Sequence, residues 1–328
     1  MKFKPGKHQP KGSFKTKKRY GKTENTKEQK PKVFKKKTSS QIPEYNFQKI
    51  KKLEQKYSGK ASENSDLIRL NRYIANAGVC SRREADELIK KGMVKVNGKV
   101  VTEMGYKVKV SDEVLYLGKK LKRERKVYVL LNKPKGFITT TEDEIGRKTV
   151  MDLVNNACDE RIYPVGRLDR QTTGLLIMTN DGDLAKKLAH PSGKVKKIYD
   201  VQLDKPLTQK DEDVIRLRDF ELEDGEVDID GLTVLNEERT KLGIQLHSGR
   251  NRIVRRIFAH FGYEVERLDR TVYAELTKKD LPRGKWRYLD EKEVILLKYF
   301  TGKNTMKKPP KEQQASKKKP FVKKKKRG

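Results

Sequence analysis

The chain has 328 residues and a formal net charge of +34, which gives enough length for about two domains with tails. The charge is uneven, because residues 1–65 carry 20 Lys/Arg against 5 Asp/Glu and residues 303–328 carry 12 against 1. No apolar run approaches the ~20 residues that span a bilayer. Two cysteines lie far apart without ligand spacing and suggest neither a disulfide framework nor a zinc site.

Both termini are rich in lysine and poor in large apolar residues. We therefore expect residues 1–65 and 301–328 to be disordered basic tails. Their charge favours a polyanionic partner through counterion release, although a merely solubilising role also fits. The first residues lack an apolar signal core, so we expect a cytoplasmic protein with no membrane association. A short basic arm also resembles a nuclear localisation signal, and the sequence leaves that alternative open.

A small folded unit is predicted over residues 66–118. Apolar residues at helical spacing predict a first helix over residues 66–78. Ser81, followed three residues later by Glu84, forms a capping box that predicts the start of a second helix. An Asn-Gly turn within residues 94–101 predicts a β-hairpin.

This order of helix, helix and hairpin resembles the RNA-binding module named after ribosomal protein S4. The matching runs are Leu70-Asn71-Arg72-Tyr73-Ile74, Ser81-Arg82-Arg83-Glu84-Ala85 and Val94-Lys95-Val96-Asn97-Gly98. The resemblance implies that five basic side chains face RNA phosphates: Arg72, Arg82, Arg83, Lys90 and Lys91. The alternative for Arg82 and Arg83 is the solvated face of a short helix.

A charged stretch, residues 119–126, is predicted to be a linker to a second domain over residues 127–300. Strands are predicted at 127–132, 174–179, 198–203, 225–235 and 243–247, and helices at 183–190, 208–217 and 251–261. Because strands and helices do not alternate regularly, we predict the α+β class with a mixed or antiparallel sheet.

The first candidate site segment runs from Gly166 to Gly182. It places Asp169 between Arg167 and Arg170, in a turn that breaks at Gly174 and enters an apolar strand. Neighbouring arginines favour the ionised carboxylate, and a loop on a rigid scaffold leaves it within reach of a ligand. For Arg-Leu-Asp-Arg alone, a structural salt bridge is the alternative.

Two later segments carry further candidates. Tyr199 lies in an alternating strand, where a packing tyrosine at the sheet rim is the alternative to a functional one. A glycine turn at Gly249 then leads into a helix with four arginines: Arg250, Arg252, Arg255 and Arg256. A basic amphipathic helix packed on the sheet is the alternative for this segment.

Together these segments resemble the rRNA pseudouridine synthases of the RsuA/RluB type over residues 66–300. The resemblance implies that Asp169 is the catalytic carboxylate, that Tyr199 stacks on the target uracil and that Arg255 pairs with the carboxylate. The run Lys133-Pro134-Lys135-Gly136 matches the opening strand and turn of the family. We also expect RNA contacts from further basic residues: Lys133, Arg167, Arg250, Arg252 and Arg256.

Two positions depart from the family pattern. Ser248 stands where Glu is usual and Ile253 where Gln is usual, so contacts to the target are expected to differ. The implied reaction detaches uracil, turns it and reattaches it through C5 without redox change, so we expect no cofactor and no metal. The sequence leaves open whether Asp169 attacks the sugar, attacks the base or accepts the 2′ proton.

The resemblance implies a monomeric enzyme that isomerises a specific uridine in ribosomal RNA or a pre-ribosomal particle. The long basic tails resemble those of large-subunit enzymes more than those of small-subunit ones, which implies 23S RNA as the substrate, with 16S RNA as the alternative. One alternative is a non-catalytic RNA-binding ribosome-assembly factor. Another is an RNA methyltransferase, which needs a glycine-rich cofactor loop that does not read clearly in this sequence.

Overall fold

The computed structural model describes residues 43–46, 48 and 67–300. The predicted tail at 301–328 lies outside the described residues, and so does most of the predicted tail at 1–65. No helix among the described residues has the length and the apolar character to cross a membrane.

The predicted tail is wrong at Tyr45, which is part of the folded protein. Its ring packs edge-on against Tyr128, with the ring centroids 5.1 Å apart, and it is buried. Its hydroxyl donates to the backbone carbonyl of Leu289 over 2.8 Å. Because the ring leaves water and the hydroxyl keeps a partner, Tyr45 is anchored against the second domain.

The first folded unit combines two short helices with small antiparallel sheets. Its elements are β1 (Leu67–Arg69), α1 (Leu70–Asn76), α2 (Arg82–Lys90), β2 (Val94–Val96), β3 (Lys99–Val100), β4 (Lys107–Lys109), β5 (Val114–Tyr116) and β6 (Lys119–Lys120). One sheet has the order β3-β2-β5-β6, and β1 pairs with β4. Residues 67–69 therefore form a strand and the helix begins only at Leu70, whereas the sequence predicted a helix from residue 66.

Local sequence explains where α2 and the hairpin form. The backbone N–H of Glu84 donates to Oγ of Ser81 over 3.2 Å, and that of Ser81 donates to the Glu84 carboxylate over 2.6 Å. At the hairpin tip Asn97 and Gly98 have φ angles of 47° and 82°, as a tight turn between twisted strands requires. The predicted capping box and hairpin are confirmed.

The second unit is built on one large sheet. Its elements are β7 (Tyr128–Lys133), α3 (Val150–Val154), β8 (Tyr163–Pro164), β9 (Thr173–Thr179), α4 (Gly182–Ala189), β10 (Lys197–Leu203), α5 (Gln209–Leu217), β11 (Glu221–Leu222), β12 (Gly225–Glu226), β13 (Ile229–Val234), β14 (Lys241–Leu246), α6 (Ile253–His260), β15 (Val265–Tyr273), β16 (Leu276–Thr277), β17 (Trp286–Tyr288) and α7 (Glu291–Ile295). The main path is β13-β14-β10-β15-β9-β7-β17. Its pairs are antiparallel except β9 with β15, which is parallel. The sheet is mixed, which confirms the predicted α+β class.

Helices cover both faces of this sheet. On one face α6 buries Ile257 and Phe258 in a core with β10 and β14. On the other face α4 buries Leu184 and Leu188 against β7 and β9. All six residues of β7 are consequently buried, which explains why this strand reads as an almost continuous apolar run.

The parallel contact between β9 and β15 requires a glycine. Gly174 has a φ of +107°, and a Cβ on it would lie 2.3 Å from the carbonyl oxygen and 2.5 Å from the nitrogen of Arg270. A side chain is therefore excluded by both conformation and space. This close approach brings the loop before β9, which carries Asp169, against β15.

The predicted linker at 119–126 is not structureless. It starts as β6, and Nζ of Lys126 then lies 3.0 Å from the buried carboxylate of Asp181. An ion pair between Arg72 of α1 and Asp183 of α4 joins the two units directly. A charged composition did not reveal these contacts because their partners are distant in sequence.

Candidate active site and RNA-facing surface

Asp169 lies in the loop between β8 and β9, with 35% of its side chain exposed. The loop is fixed by the fully buried Lys133, whose Nζ donates to the carbonyls of Asp169 over 3.0 Å and of Thr172 over 2.8 Å. Thr139 adds a hydrogen bond from its hydroxyl to the carbonyl of Leu168 over 2.7 Å. The carboxylate is thus presented by a rigid loop while remaining open to a ligand.

Lys133 corrects one of the predicted RNA contacts. It is the last residue of the fully buried strand β7, and its ammonium turns inward to the loop carbonyls instead of outward to solvent. Burial lowers the pKa of Lys133 to about 8, against the opposing effect of the Asp169 charge. The side chain is therefore a loop support and is inaccessible to RNA phosphates.

A cavity of about 140 Å³ opens beside Asp169. Five elements contribute its walls: the Asp169 loop, the end of α4, β10, β15 and the start of α6. Tyr199 enters from β10 with 8% of its surface exposed, and Ile253 and Leu268 supply apolar walls. The three separated segments singled out in the sequence therefore meet at one cavity. Its volume lies below the ~300–1,000 Å³ of typical ligand pockets, which suits a single base better than a whole nucleotide.

The arginine nearest the carboxylate is Arg252, not Arg255. Nη1 of Arg252 lies 3.9 Å from Oδ2 of Asp169. Arg255 instead donates to the carbonyl of Val265, and its Nε is buried without a hydrogen-bond partner among the described residues. Arg252 caps α6 in a left-handed conformation and reaches the cavity, whereas Arg255 lies on the helix face that packs against β15. Burial lowers the pKa of Arg255, as does the neighbouring Arg252, while Asp169 raises it.

Two further buried cations line the cavity, and the sequence analysis did not identify them. Lys197 is 9% exposed and donates to the carbonyl of His247 over 2.8 Å. Burial, followed by the charge of Arg270, lowers the pKa of Lys197 to about 8. Arg270 is 3% exposed. Each looks in sequence like an ordinary polar position of an alternating strand.

The two departures from the family pattern have local consequences. Ser248 accepts a hydrogen bond at its Oγ from the backbone N–H of Arg250 over 3.3 Å, so its hydroxyl shapes the turn into α6. Ile253 is 6% exposed and presents an apolar surface to the cavity.

Two more predicted RNA contacts are engaged within the protein. Arg250 donates to the carbonyls of Asp224 and Glu226 over 2.8 and 2.7 Å. Arg256 forms an ion pair with the carboxylate of Asp224. These arginines hold the β11–β12 turn against α6, and the acidic partner lies too far away in sequence to have been foreseen.

The other predicted RNA contacts lie at the surface, and several border a cleft of about 980 Å³ between the two folded units. Arg82 and Arg83 of α2 are exposed there. Arg72 also lines the cleft and Arg167 lines the smaller cavity, while Lys90 and Lys91 are exposed at the end of α2. The cleft adds basic residues that were not predicted: Arg69, Arg161 and Lys186. Among the described residues, no cluster of three or more His, Cys, Asp or Glu side chains could hold a metal ion.

Residues 127–260 match the family described as RNA pseudouridylate synthase, and residues 68–114 match the S4 domain. The chain is 45% identical over 245 residues to the ribosomal large subunit pseudouridine synthase B of Bacillus subtilis (strain 168), covering 73% of this chain and 99% of that protein. It is 40% identical to an RNA pseudouridine synthase of Aquifex aeolicus (strain VF5), covering 70% of this chain and 93% of the relative.

Two other comparisons agree with these. The dual-specificity RNA pseudouridine synthase RluF of Escherichia coli (strain K12) is 39% identical, covering 70% of this chain and 77% of that protein. A crystal structure of a pseudouridylate synthase superposes with a TM-score of 0.50 at 25% identity, covering 70% of this chain and 99% of that chain.

Proposed function

Because the chain belongs to the RNA pseudouridylate synthase family and carries an S4 domain before the synthase domain, we propose that it isomerises one specific uridine of large-subunit ribosomal RNA. The observation that carries this proposal is the shared cavity of Asp169 and Tyr199, next to exposed basic surface. A non-catalytic assembly factor has no need of a half-exposed carboxylate facing polyanionic RNA.

The residues around the cavity suit the chemistry. Asp169 supplies the carboxylate that attacks the sugar or the base or takes the 2′ proton. The ring of Tyr199 offers a face on which the detached base can stack while it turns. Nη1 of Arg252 lies 3.9 Å from Oδ2 of Asp169, and Arg255 adds positive potential from the same helix. The target uridine leaves its stack to enter a cavity of this size.

The surrounding RNA is held by its phosphates. The exposed arginines of α2 and the basic rim of the large cleft provide contacts that fix position without reading sequence. We assign this role to Arg82, Arg83, Lys90, Lys91, Arg167 and Arg252, whereas Arg72 is held by its ion pair with Asp183. The specificity for one uridine then comes from the shape of the RNA and from the cavity.

The similarity to a large-subunit enzyme favours the large subunit. The Bacillus subtilis relative, similar over 99% of its length, is named for that subunit. The basic tails, 20 Lys/Arg against 5 Asp/Glu in residues 1–65, suit a phosphate-rich RNA of either subunit. We further propose that the enzyme acts as a monomer in the cytoplasm, on ribosomal RNA or a pre-ribosomal particle.

Mapping of pseudouridine in both ribosomal RNAs tests the proposal. In a strain lacking the gene, sequencing after chemical labelling of pseudouridine should reveal the loss of one modified position in 23S RNA. Wild-type protein should restore it and Asp169→Asn should not. Loss of a 16S position instead would refute the subunit assignment, and an unchanged map of both RNAs would refute the substrate class.

A further inference from the structure

Arg270 is a cavity-lining cation that the sequence analysis did not assign to the site. It lies on β15 directly opposite Tyr199 of β10. Residues directly opposite each other on antiparallel strands project from the same face of a sheet, so both side chains can contact the same bound group. Both line the cavity, and only 3% of Arg270 is exposed.

The orientation of this guanidinium is fixed from two sides. Its Nε donates to the backbone carbonyl of Leu175 over 2.7 Å. Its Cζ lies 4.3 Å from the centroid of the Tyr273 ring, in a cation–π contact. The remaining nitrogens are therefore held in place before any ligand arrives.

One of these nitrogens, Nη2, is buried without a hydrogen-bond partner among the described residues. The carboxylate of the cavity, Asp169, pairs with Arg252 instead. Lys133 and Lys197 are also close enough for the charge of Arg270 to lower their pKa values. Burying a cation with an unused donor among other cations opposes folding, which indicates that a ligand atom completes the arrangement.

We propose that Arg270 donates from Nη2 to a carbonyl oxygen of the target uracil and stabilises the anion that this base becomes when it detaches. The inference rests on the proposed function. A guanidinium is charged at all physiological pH values and has donors in a fixed plane, so it can follow a flat anionic base without reorganising.

The bond between N1 of uracil and C1′ of ribose breaks, and its electron pair stays on the base, where the negative charge spreads to the carbonyl oxygens. The base turns, an electron pair at C5 forms the new bond to the electron-deficient C1′, the C5 proton leaves and N1 takes up a proton, so that the product is an isomer of the substrate. Arg270 provides the greatest stabilisation between the breaking and the forming of these bonds, when the base carries its full negative charge.

The base is a better partner for Arg270 than a phosphate. The cavity measures about 140 Å³ and has apolar walls at Ile253 and Leu268, which suit the flat faces of a base. Phosphates remain strongly hydrated and find exposed arginines nearer the rim, such as Arg167.

Single-turnover tritium release from RNA labelled at C5 of the target uridine tests the inference. Arg270→Gln should lose about 10²–10³-fold in rate, the loss that follows removal of one donor to a developing anion. Its RNA affinity should stay within about threefold, because phosphate contacts dominate binding. Arg270→Lys, which keeps the charge but loses the planar donors, should lose less. Arg267→Gln, which removes an exposed arginine of the same strand, is the matched control and should match wild type.

A second substrate separates a chemical role from a merely structural one. Fluorine at C5 of the target base withdraws electrons and stabilises the detached anion, so cleavage of the N-glycosidic bond should depend less on Arg270. Chromatography of nuclease digests follows this cleavage. The loss for Arg270→Lys or Arg270→Gln should then be about tenfold smaller on the fluorinated RNA. If Arg270→Gln does not fold, the comparison of the two substrates is made with Arg270→Lys alone.

The outcomes distinguish two failures. If wild-type protein releases no tritium from any ribosomal RNA, the proposed function fails. If wild-type protein turns over and a folded Arg270→Gln stays within about threefold of it, this inference alone fails. Equal losses on the plain and the fluorinated RNA would also overturn it, because they would make Arg270 a structural cation.

Discussion

Nζ of Lys133 donates to the backbone carbonyl of Asp169 over 3.0 Å, although 36 positions separate the two residues in the chain. This hydrogen bond couples the end of the buried strand β7 to the loop that presents the carboxylate. Lys133 is fully buried, so it acts on the reaction through the loop and not through RNA. The consequence is a clear division between a positioning lysine and the exposed arginines.

Lys133→Met should therefore lower kcat by about 10–100-fold with little change in RNA affinity, because a loop displaced by an ångström misplaces its carboxylate. Single-turnover rates and filter binding measure the two effects separately. Lys135→Gln, an exposed neighbour, is the matched control and should leave kcat unchanged. A Lys133→Met enzyme with wild-type kcat and a reduced salt dependence of binding would instead make Lys133 a phosphate contact.

The pH dependence of stability offers a second test of Lys133. Its pKa is about 8 in the folded protein, against an ordinary value of 10.5. Between these values the unfolded chain binds more protons, so the free energy of unfolding contributed by Lys133 rises with pH. The unfolding free energy of wild type minus that of Lys133→Met should rise by up to about 2.5 kcal/mol from pH 7 to pH 10. Urea denaturation of both proteins at each pH measures this quantity. A value that stays constant or falls as the pH rises contradicts the burial of a charged lysine.

Asp169→Asn should abolish tritium release while leaving the protein folded and its RNA affinity within about tenfold of wild type. The side chain is 35% exposed and its ion pair with Arg252 is long, so little stability depends on it. Asp213→Asn, at an exposed position of α5, controls for the loss of a negative charge. Residual turnover above about one per cent of wild type would contradict a catalytic role for Asp169.

Tyr199 can act through its ring or through its hydroxyl, and two variants separate these roles. Tyr199→Phe keeps the ring, whereas Tyr199→Leu loses it and leaves a space beside the cavity. If stacking on the base dominates, the Leu variant should be slower than the Phe variant by about tenfold or more, since stacking of a base on an aromatic ring is worth ~1–3 kcal/mol. Near-wild-type rates for both variants would make Tyr199 a packing residue of the sheet.

Local patterns in the sequence were sufficient to predict much of the secondary structure. The capping box at Ser81, the Asn97-Gly98 turn and the apolar run of β7 depend on residues adjacent in sequence, and all form as predicted. Three distinctive segments in a characteristic order were also sufficient to identify the family, and the comparisons confirm it.

The errors concern partners that are distant in sequence. Arg250 and Arg256 appeared free for RNA because nothing local reveals Asp224, more than 20 positions earlier. Lys133 appeared exposed because its acceptors are carbonyls of another loop. Arg270 was overlooked since a polar residue in an alternating strand normally faces solvent, whereas β9 and β10 enclose this one on both sides.

The structure also changes how the basic tails should be tested, because Tyr45 is anchored on Tyr128 and Leu289. Removing residues 1–65 would delete this contact, so the informative truncation removes residues 1–42 and 303–328. The first segment carries 15 Lys/Arg against 2 Glu and the second 12 Lys/Arg against 1 Glu. Their loss removes 24 of the 34 net positive charges.

This truncation should weaken RNA binding and flatten its salt dependence, because fewer counterions are released from the RNA. It should leave the modified uridine unchanged, since shape and base contacts come from the folded residues. Titration at several salt concentrations measures the slope, and sequencing of the modified RNA identifies the uridine. A matched variant in which the tail lysines are replaced by glutamine separates charge from chain length and should give the same slope as the truncation. If the truncated enzyme modifies a different uridine, or none at saturating enzyme and low salt, the tails select the target and their role is not merely electrostatic.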